Sequence, residues 1–227
     1  MESDPSQPRR ARRTESHPDK RSLGRPLSFD RAAALRAAML TFWRHGYETS
    51  SVADLTAAMG VTAPSLYTAF GDKKQLFLEA VRLYAGDPDV MAQAIRAAPS
   101  AHAAARDLMT TAATAYTGED TPRGCLLASA TASGSSASAD VQQAVADIRR
   151  GIQQCLDARI RRDMADGALP ATTDPAALSG LVMAVIQGLS VLARDGATRA
   201  ALLATVQAAL AGWPREMPAG DRDTSKG

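Results

Sequence analysis

The hydroxyl and amine side chains between Ser50 and Lys74 are the groups in this sequence best suited to binding another molecule. The phenol of Tyr67 and the ammonium groups of Lys73 and Lys74 can donate hydrogen bonds to phosphate oxygens. Ser50 and Ser51 lie at the start of a predicted helix, where free backbone N–H groups also attract anions. These residue types therefore predict contact with a phosphate backbone.

Catalytic machinery is not recognisable in the same sequence. A nucleophilic serine requires a G-x-S-x-G turn or an S-x-x-K pair, and the serine-rich stretch 129–138 has neither. The three histidines, His17, His45 and His102, are isolated from one another and from any partner residue. We therefore expect the stretch 129–138 to be a linker and the protein not to be an enzyme.

The two cysteines, Cys125 and Cys155, lack the spacing of a zinc site or a disulfide framework, so the sequence predicts no metal and no cofactor. Cys125 follows Arg123 and Gly124 at a predicted helix start, and both a nearby cation and a helix start favour a reactive thiolate. Cys125 is therefore a candidate redox sensor. The alternative is a small buried hydrophobic residue.

Two short helices joined by a tight turn are predicted after Ser51. Ser51 and Asp54 form a capping box that begins the first helix. The expected buried positions of this helix are Val52, Leu55, Ala58 and Met59. Gly60 ends it, Thr62 caps the second helix, and Pro64 occupies the first turn of the second. Leu66 and Phe70 of the second helix should face inward. The pattern predicts a helix-turn-helix, whose second helix enters the DNA major groove.

The run Gly60–Tyr67, followed by Phe70 and Asp72–Phe77, resembles the DNA-binding domain of TetR-type transcriptional regulators. The residues that follow the turn contain LY, F-x-D-K and LF in that order. This order makes the pattern more specific than a helix-turn-helix alone. The resemblance covers residues 27–86 strongly. It implies an all-α fold with a DNA-binding domain at 27–86 and a helical ligand-binding and dimerisation domain at 87–213.

The resemblance also implies two kinds of DNA contact within this domain. Tyr67 and Lys73 would bind phosphates, while Thr62, Ala63, Pro64 and Thr68 would face base edges. Ala63 and Pro64 can offer only apolar contact, for example to thymine methyl groups. The full predicted DNA-binding set is Arg25, Ser50, Ser51, Thr62, Ala63, Pro64, Ser65, Tyr67, Thr68, Lys73 and Lys74.

Bulk composition favours packed helices. The 227 residues are 45% hydrophobic but only 4% aromatic, and alanine is abundant. We expect no apolar run as long as a membrane span and no signal peptide, and hence a cytoplasmic protein without membrane contact. The formal net charge of +2 hides an uneven distribution of charge along the chain.

The N-terminal residues 1–26 are rich in arginine, serine and proline, and we expect them to be a disordered basic arm. Gly24, Arg25 and Pro26 resemble the centre of an AT-hook, which lays an arginine along the minor groove. A DNA-gripping arm and a solvated tail are both open interpretations. The last residues, 214–227, should form a flexible tail.

Helical periodicity extends through the remainder of the chain, with glycine, proline and serine at each break and no strand required. Predicted helices outside the helix-turn-helix span residues 28–45, 73–85, 89–97, 100–116, 123–132, 139–165, 175–194 and 197–212.

The helix at 175–194 is apolar on more than one face, so one side should pack in the core and the other against a partner. In TetR-like proteins the corresponding last two helices form a four-helix dimer interface, which suits a palindromic operator. The predicted interface residues are Leu181, Val185, Leu189, Leu192, Leu203, Val206 and Leu210.

The resemblance further implies a small-molecule effector that enters the C-terminal domain and tilts the helix at 73–85. The candidate pocket residues are Met91, Ile95, Leu108, Met109, Ala112, Tyr116, Leu126, Leu127, Ile148, Ile152, Met183 and Gln187. With so few aromatic residues, an aliphatic or small polar ligand is the favoured class.

These features predict a homodimeric DNA-binding transcriptional regulator, and more specifically a repressor that a ligand releases from its double-stranded operator. Two alternatives keep the fold: a transcriptional activator, and an architectural DNA-binding protein whose helical domain only dimerises. A helical enzyme or carrier that retains a DNA-binding domain is disfavoured by the absence of a catalytic pair.

Overall fold

The computed structural model describes residues 29–129 and 139–214, and within these two ranges every regular element is an α-helix, as predicted. The predictions for the basic arm with Arg25, for most of the serine-rich stretch and for the tail lie outside the described residues. The helices are α1 Arg31–His45, α2 Val52–Met59, α3 Ala63–Phe70, α4 Lys73–Ala85, α5 Pro88–Ala97, α6 Ala101–Ala115, α7 Leu126–Ser129, α8 Ala139–Ala165, α9 Pro175–Arg194 and α10 Arg199–Ala211.

Helix α1 begins three residues later than the sequence predicted. The carboxylate of Asp30 accepts hydrogen bonds from the backbone N–H groups of Ala32 and Ala33, so Asp30 is the N-cap. Ala33, in the first turn of α1, is exposed to solvent. The inward face carries Phe42, whose ring meets Phe77 of α4 edge-to-face at 5.0 Å between centroids.

The helix-turn-helix forms as predicted. Ser51 and Asp54 make the reciprocal capping box at the start of α2, and Gly60 ends the helix in the left-handed conformation with φ 66°. Thr62 accepts a hydrogen bond from Ser65 N at the start of α3. Leu55, Met59, Leu66 and Phe70 are buried. Val52 is half-buried and Ala58 exposed, because the buried side of α2 is a narrow stripe between Leu55 and Met59.

Helices α5 to α10 form the second unit, in which α8 and α9 pack against each other and α6 packs against α9 and α10. Its fully buried side chains include Met109, Leu126, Leu156, Ile160 and Leu202. Helix α7 covers only Leu126–Ser129, which is shorter at its start than the predicted 123–132. The predicted bounds of α8 and α9 agree with those observed.

Helix α9 corrects one expectation about membranes. In the described ranges it is the single helix that is long and apolar enough to cross a membrane, judged by length and composition only. Its buried side, with Val182, Ile186, Leu189 and Ala193, packs against α6, α8 and α10. The place of α9 in the core of the second unit thus accounts for the apolar residues on its buried side.

Candidate nucleic-acid interface

Helix α3 presents its polar outer face to solvent. Thr62, Pro64, Tyr67 and Thr68 are exposed, with Tyr67 at 49% of its full area. Ala63 and Ser65 are half-buried, while Leu66 and Phe70 anchor the opposite face in the core. Helix α3 therefore carries the row of predicted contact residues on a surface that DNA can reach.

The hydroxyl groups on this face differ in their availability. Thr68 Oγ1 donates to Pro64 O at 2.8 Å, and Thr62 Oγ1 lies 2.9 Å from Ser65 Oγ. Within residues 29–129 and 139–214, the Tyr67 hydroxyl has no protein hydrogen-bond partner. Tyr67 thus offers a free donor, whereas the hydroxyl groups of both threonines already have a protein partner.

Ser50 is predicted to contact phosphate through the free N–H groups at this helix start, and its side chain has a different partner. It is buried, and its hydroxyl donates to Gly46 O at 2.7 Å. Ser51 is exposed, and its hydroxyl bonds to the Asp54 carboxylate. The hydrogen bonds from the Ser51 hydroxyl and backbone N–H lower the pKa of Asp54. A phosphate at this helix start would therefore meet a carboxylate beside the free N–H groups.

The two predicted phosphate lysines both have protein partners. The Lys73 ammonium lies 4.6 Å from the Tyr47 ring centroid and 3.4 Å from Glu48 O. Partial burial lowers the pKa of Lys73. Lys74 forms an ion pair with Asp140 of α8. The hydrogen bond that the Lys74 ammonium donates to this carboxylate raises the pKa of Lys74. The side chain of Lys74 therefore bridges the two units of the chain.

Arg31, which no sequence pattern singled out, contacts α3 on the side opposite its exposed face. Its guanidinium donates to Ala69 O at 3.2 Å and to Glu79 of α4, and lies 4.3 Å from the Phe70 ring centroid. The partners are 38 and 48 residues away in the chain. Only the fold could bring these groups together, so no local pattern pointed to Arg31.

Most of the predicted effector residues pack inside the second unit. Ile95, Met109, Tyr116, Leu126 and Leu127 are buried. Half-buried residues packed around that core are Met91, Leu108, Ala112, Ile148 and Ile152. Met183 and Gln187 instead line a surface depression of about 320 Å³ between α8 and α9. The twelve candidates are therefore divided between a packed interior and an outer groove.

Cys125 is buried, with 4% of its area exposed, and the Tyr84 hydroxyl donates to its sulfur at 3.4 Å. The cation expected beside this thiol points elsewhere: Arg123 Nε donates to Ala193 O at 2.7 Å, and Arg123 Nη2 donates to Ala197 O. Burial raises the pKa of the Tyr84 hydroxyl, and its position beside Cys125 raises it further. Arg123 thus anchors the turn before α7 to the end of α9.

Two of the predicted interface residues belong to the core of a single chain. Leu189 is 1% exposed and Val206 is 2% exposed, because both lie on the inward sides of their helices. Leu181 and Leu192 are exposed as predicted, while Val185, Leu203 and Leu210 are half-buried. Val191, which is not among the predicted interface residues, is 57% exposed.

An all-helical chain with a solvent-facing α3, held by a capped tight turn, defines the class of helix-turn-helix DNA-binding proteins. Residues 34–80 match the family described as bacterial regulatory proteins of the tetR family. Residues 102–209 match the tetracyclin repressor-like C-terminal domain. The chain belongs to the TetR family and is a transcriptional regulator. The predicted domain boundary at residue 86 falls between the two matches and stays a prediction.

Named relatives support this assignment. The chain is 34% identical over 197 residues to the HTH-type transcriptional repressor ComR of Escherichia coli K12, covering 86% of this chain and 94% of ComR. A solved structure of a CifR cysteine mutant, complexed with 26-bp operator DNA, is 41% identical with a TM-score of 0.78. That match covers 84% of this chain and all (100%) of CifR.

A TetR-type regulator from Rhodococcus sp. RHA1 is 37% identical with a TM-score of 0.56, over 82% of this chain and 100% of that protein. Relatives of this kind are DNA-binding regulators rather than enzymes, which confirms the prediction that the protein is not an enzyme.

Proposed function

We propose that this protein is a sequence-specific repressor that binds a palindromic operator as a homodimer and is released by a small molecule. The observation that carries the proposal is the free outer face of α3, where the Tyr67 hydroxyl lacks a partner in the described part of the chain. ComR, a relative over nearly its whole length, is named as a repressor, and CifR is named in complex with operator DNA.

The homodimer is supported by an apolar stripe on the outer side of α9. Leu181, Val191 and Leu192 are 50%, 57% and 42% exposed, and Ala184 and Gly188 lie between them on the same side. Exposed apolar surface of this kind is characteristic of interfaces, and the small residues let two helices approach closely. A two-fold axis through this stripe would place two α3 helices on the two halves of a palindrome.

The proposed effector is an aliphatic or small polar molecule, in line with the aliphatic lining of the second unit. Its binding would favour a conformation in which α4 tilts and the two α3 helices no longer match successive major grooves. Helix α4 is suited to carry that change because it packs against α1 on one side and α8 on the other. The proposed place of action is the cytoplasm, where the operator DNA would be available.

Selection of binding sites from a random duplex library, with the full-length protein, tests the proposal. The expected result is an inverted repeat that the protein protects from nuclease as two adjacent half-sites. An architectural DNA-binding protein would instead select no sequence and protect DNA with little preference.

Transcription in vitro from a promoter that overlaps the selected site tests the sign of regulation. A repressor lowers transcript yield in proportion to its occupancy of the site. A rise in transcript with added protein would show that the chain is an activator of the same fold.

A further inference from the structure

Arg194, at the end of α9, reaches out of its own unit to the DNA-binding unit. Its Nη2 donates to Trp43 O at 3.1 Å, and also to Ser129 Oγ. Trp43 lies in the last turn of α1, where the final four carbonyl groups have no partner within the helix. A guanidinium at that end also complements the negative pole of the helix dipole. Arg194 therefore caps α1 from a different unit of the protein.

The close approach of α9 depends on Gly124. Gly124 has φ +82°, and a Cβ there would lie 2.8 Å from Arg194 Nε and 2.9 Å from Ser190 O. The carbonyl of Gly124 accepts a hydrogen bond from Trp43 Nε1 at 3.1 Å, and this bond is buried. The next residue, Cys125, donates its N–H to Ser190 Oγ at 2.9 Å. The turn before α7 is thus fastened to α1 on one side and to α9 on the other.

The side chain of Trp43 extends this contact to α4. Its ring meets the Tyr84 ring edge-to-face at 4.8 Å between centroids. Helix α1 packs in turn against α2 and α4, and so positions the helix-turn-helix. A contact to the end of α1 therefore orients the whole DNA-binding unit relative to α9.

We infer that Arg194 is a positioning residue for operator binding: it holds the DNA-binding unit at a set angle to α9 and thereby sets the half-site spacing that the protein accepts. The inference rests on the proposed homodimer, since α9 carries the apolar stripe through which two chains would meet. It differs from the proposed effector response in its point of contact: Arg194 holds the end of α1, whereas the effector is proposed to tilt α4.

The test compares three DNA duplexes: the library-selected palindrome, the same palindrome with one base pair inserted at its centre, and a single half-site. One inserted base pair turns the second half-site by about a tenth of a helical turn and moves it by about 3.4 Å. Wild-type protein should bind the selected spacing more tightly than the inserted one. The ratio of these two affinities measures how firmly the two DNA-binding units are held.

Arg194→Ala should reduce that ratio about tenfold, as expected for loss of charge-assisted hydrogen bonds, and leave half-site affinity within about twofold of wild type. Arg194→Lys keeps the positive charge but not the forked donor geometry, so its ratio should be intermediate. Arg199→Ala is the matched control. Arg199 donates to Thr117 Oγ1 inside the second unit, and its loss should leave the ratio unchanged.

Three outcomes would overturn the inference. An unchanged ratio in Arg194→Ala would mean that Arg194 does not hold the angle. A parallel loss of half-site and palindrome binding would reduce its role to stability of the fold. Wild-type protein without any spacing preference would overturn the homodimer proposal, and this inference with it. If Arg194→Ala loses its helical circular dichroism signal, the affinity ratio of Arg194→Lys takes its place. A ratio below that of wild type then supports the inference, and an unchanged ratio overturns it.

Discussion

Arg31 at the start of α1 and Glu79 in the middle of α4 form a two-oxygen contact, with Arg31 Nη2 2.9 Å from Oε1 and 2.8 Å from Oε2. The same guanidinium donates to Ala69 O in the last turn of α3. One side chain therefore joins the first, third and fourth helices of the DNA-binding unit. Together with the buried side chains of Leu66 and Phe70, it helps to hold the 8-residue helix α3 in place.

Arg31→Ala should lower the free energy of unfolding by about 1 to 2 kcal/mol, because it removes a charge-assisted bond to a backbone carbonyl and a partly exposed ion pair. Urea denaturation followed by circular dichroism measures this. Arg36→Ala, an exposed arginine of the same helix, is the control and should change stability by less than about 0.5 kcal/mol. Equal losses in the two variants would show that net charge, not the Arg31 contacts, is responsible.

Tyr67→Phe should weaken DNA binding by about tenfold at the selected site and at every single-base variant of it. A hydroxyl bound to phosphate contributes affinity but carries no base information. Binding isotherms on the selected site and its variants provide the measurement. Thr68→Ala is the contrast, because loss of a methyl group that faces a base should matter at one position only. A Tyr67→Phe effect confined to one base pair would contradict the phosphate assignment.

Removal of residues 1–25 should leave fold and assembly intact but flatten the salt dependence of DNA binding. Each phosphate that an arginine neutralises adds about 0.9 to the slope of log affinity against log salt. Affinities measured over a range of salt concentrations, for the full chain and the truncated chain, give the two slopes. Identical slopes would favour the interpretation of the arm as a solvated tail.

Leu181→Asp combined with Val191→Asp should yield a folded monomer with poor operator binding. A charge buried without a partner in an interface costs several kcal/mol, enough to dissociate a dimer of ordinary affinity. Sedimentation and circular dichroism are the measurements. Val90→Asp, at a 64% exposed valine of α5, is the matched control and should stay dimeric.

Val206→Asp serves as a second comparison for the same stripe. It introduces a charge at a buried position of the single chain and should unfold the protein rather than dissociate it. A double variant at Leu181 and Val191 that remains dimeric would place the interface elsewhere.

Cys155 should react with a soluble disulfide reagent faster than Cys125, because Cys155 is half-buried and the Cys125 thiol is enclosed near Tyr84. Absorbance of the released thiolate follows the two phases, and Cys155→Ser should remove the fast one.

We propose that Cys125 acts as a sensor only when movement of α4 withdraws Tyr84. Tyr84→Phe should then speed the slow phase, and an unchanged rate would favour a purely structural Cys125.

The amino-acid sequence by itself determined the local elements of this protein. The capping box of Ser51 and Asp54, the left-handed turn at Gly60 and the cap at Thr62 all depend on residues within a few positions of one another. Their hydrogen bonds can therefore be predicted without knowledge of the fold. The same holds for the inward positions of Leu66 and Phe70, because helical periodicity alone predicts that both residues lie on the buried face of α3.

Tertiary structure decided which groups are free and which are occupied. Lys74 has the residue type and position of a phosphate ligand, but Asp140, 66 residues away, holds its ammonium group. Val206 and Val191 are both valines on apolar helices, and only the packing of α9 and α10 against α6 buries one and exposes the other. The contacts of Arg194 with Trp43 span 151 residues. Such contacts depend on how whole helices pack together, which no periodicity within one helix encodes.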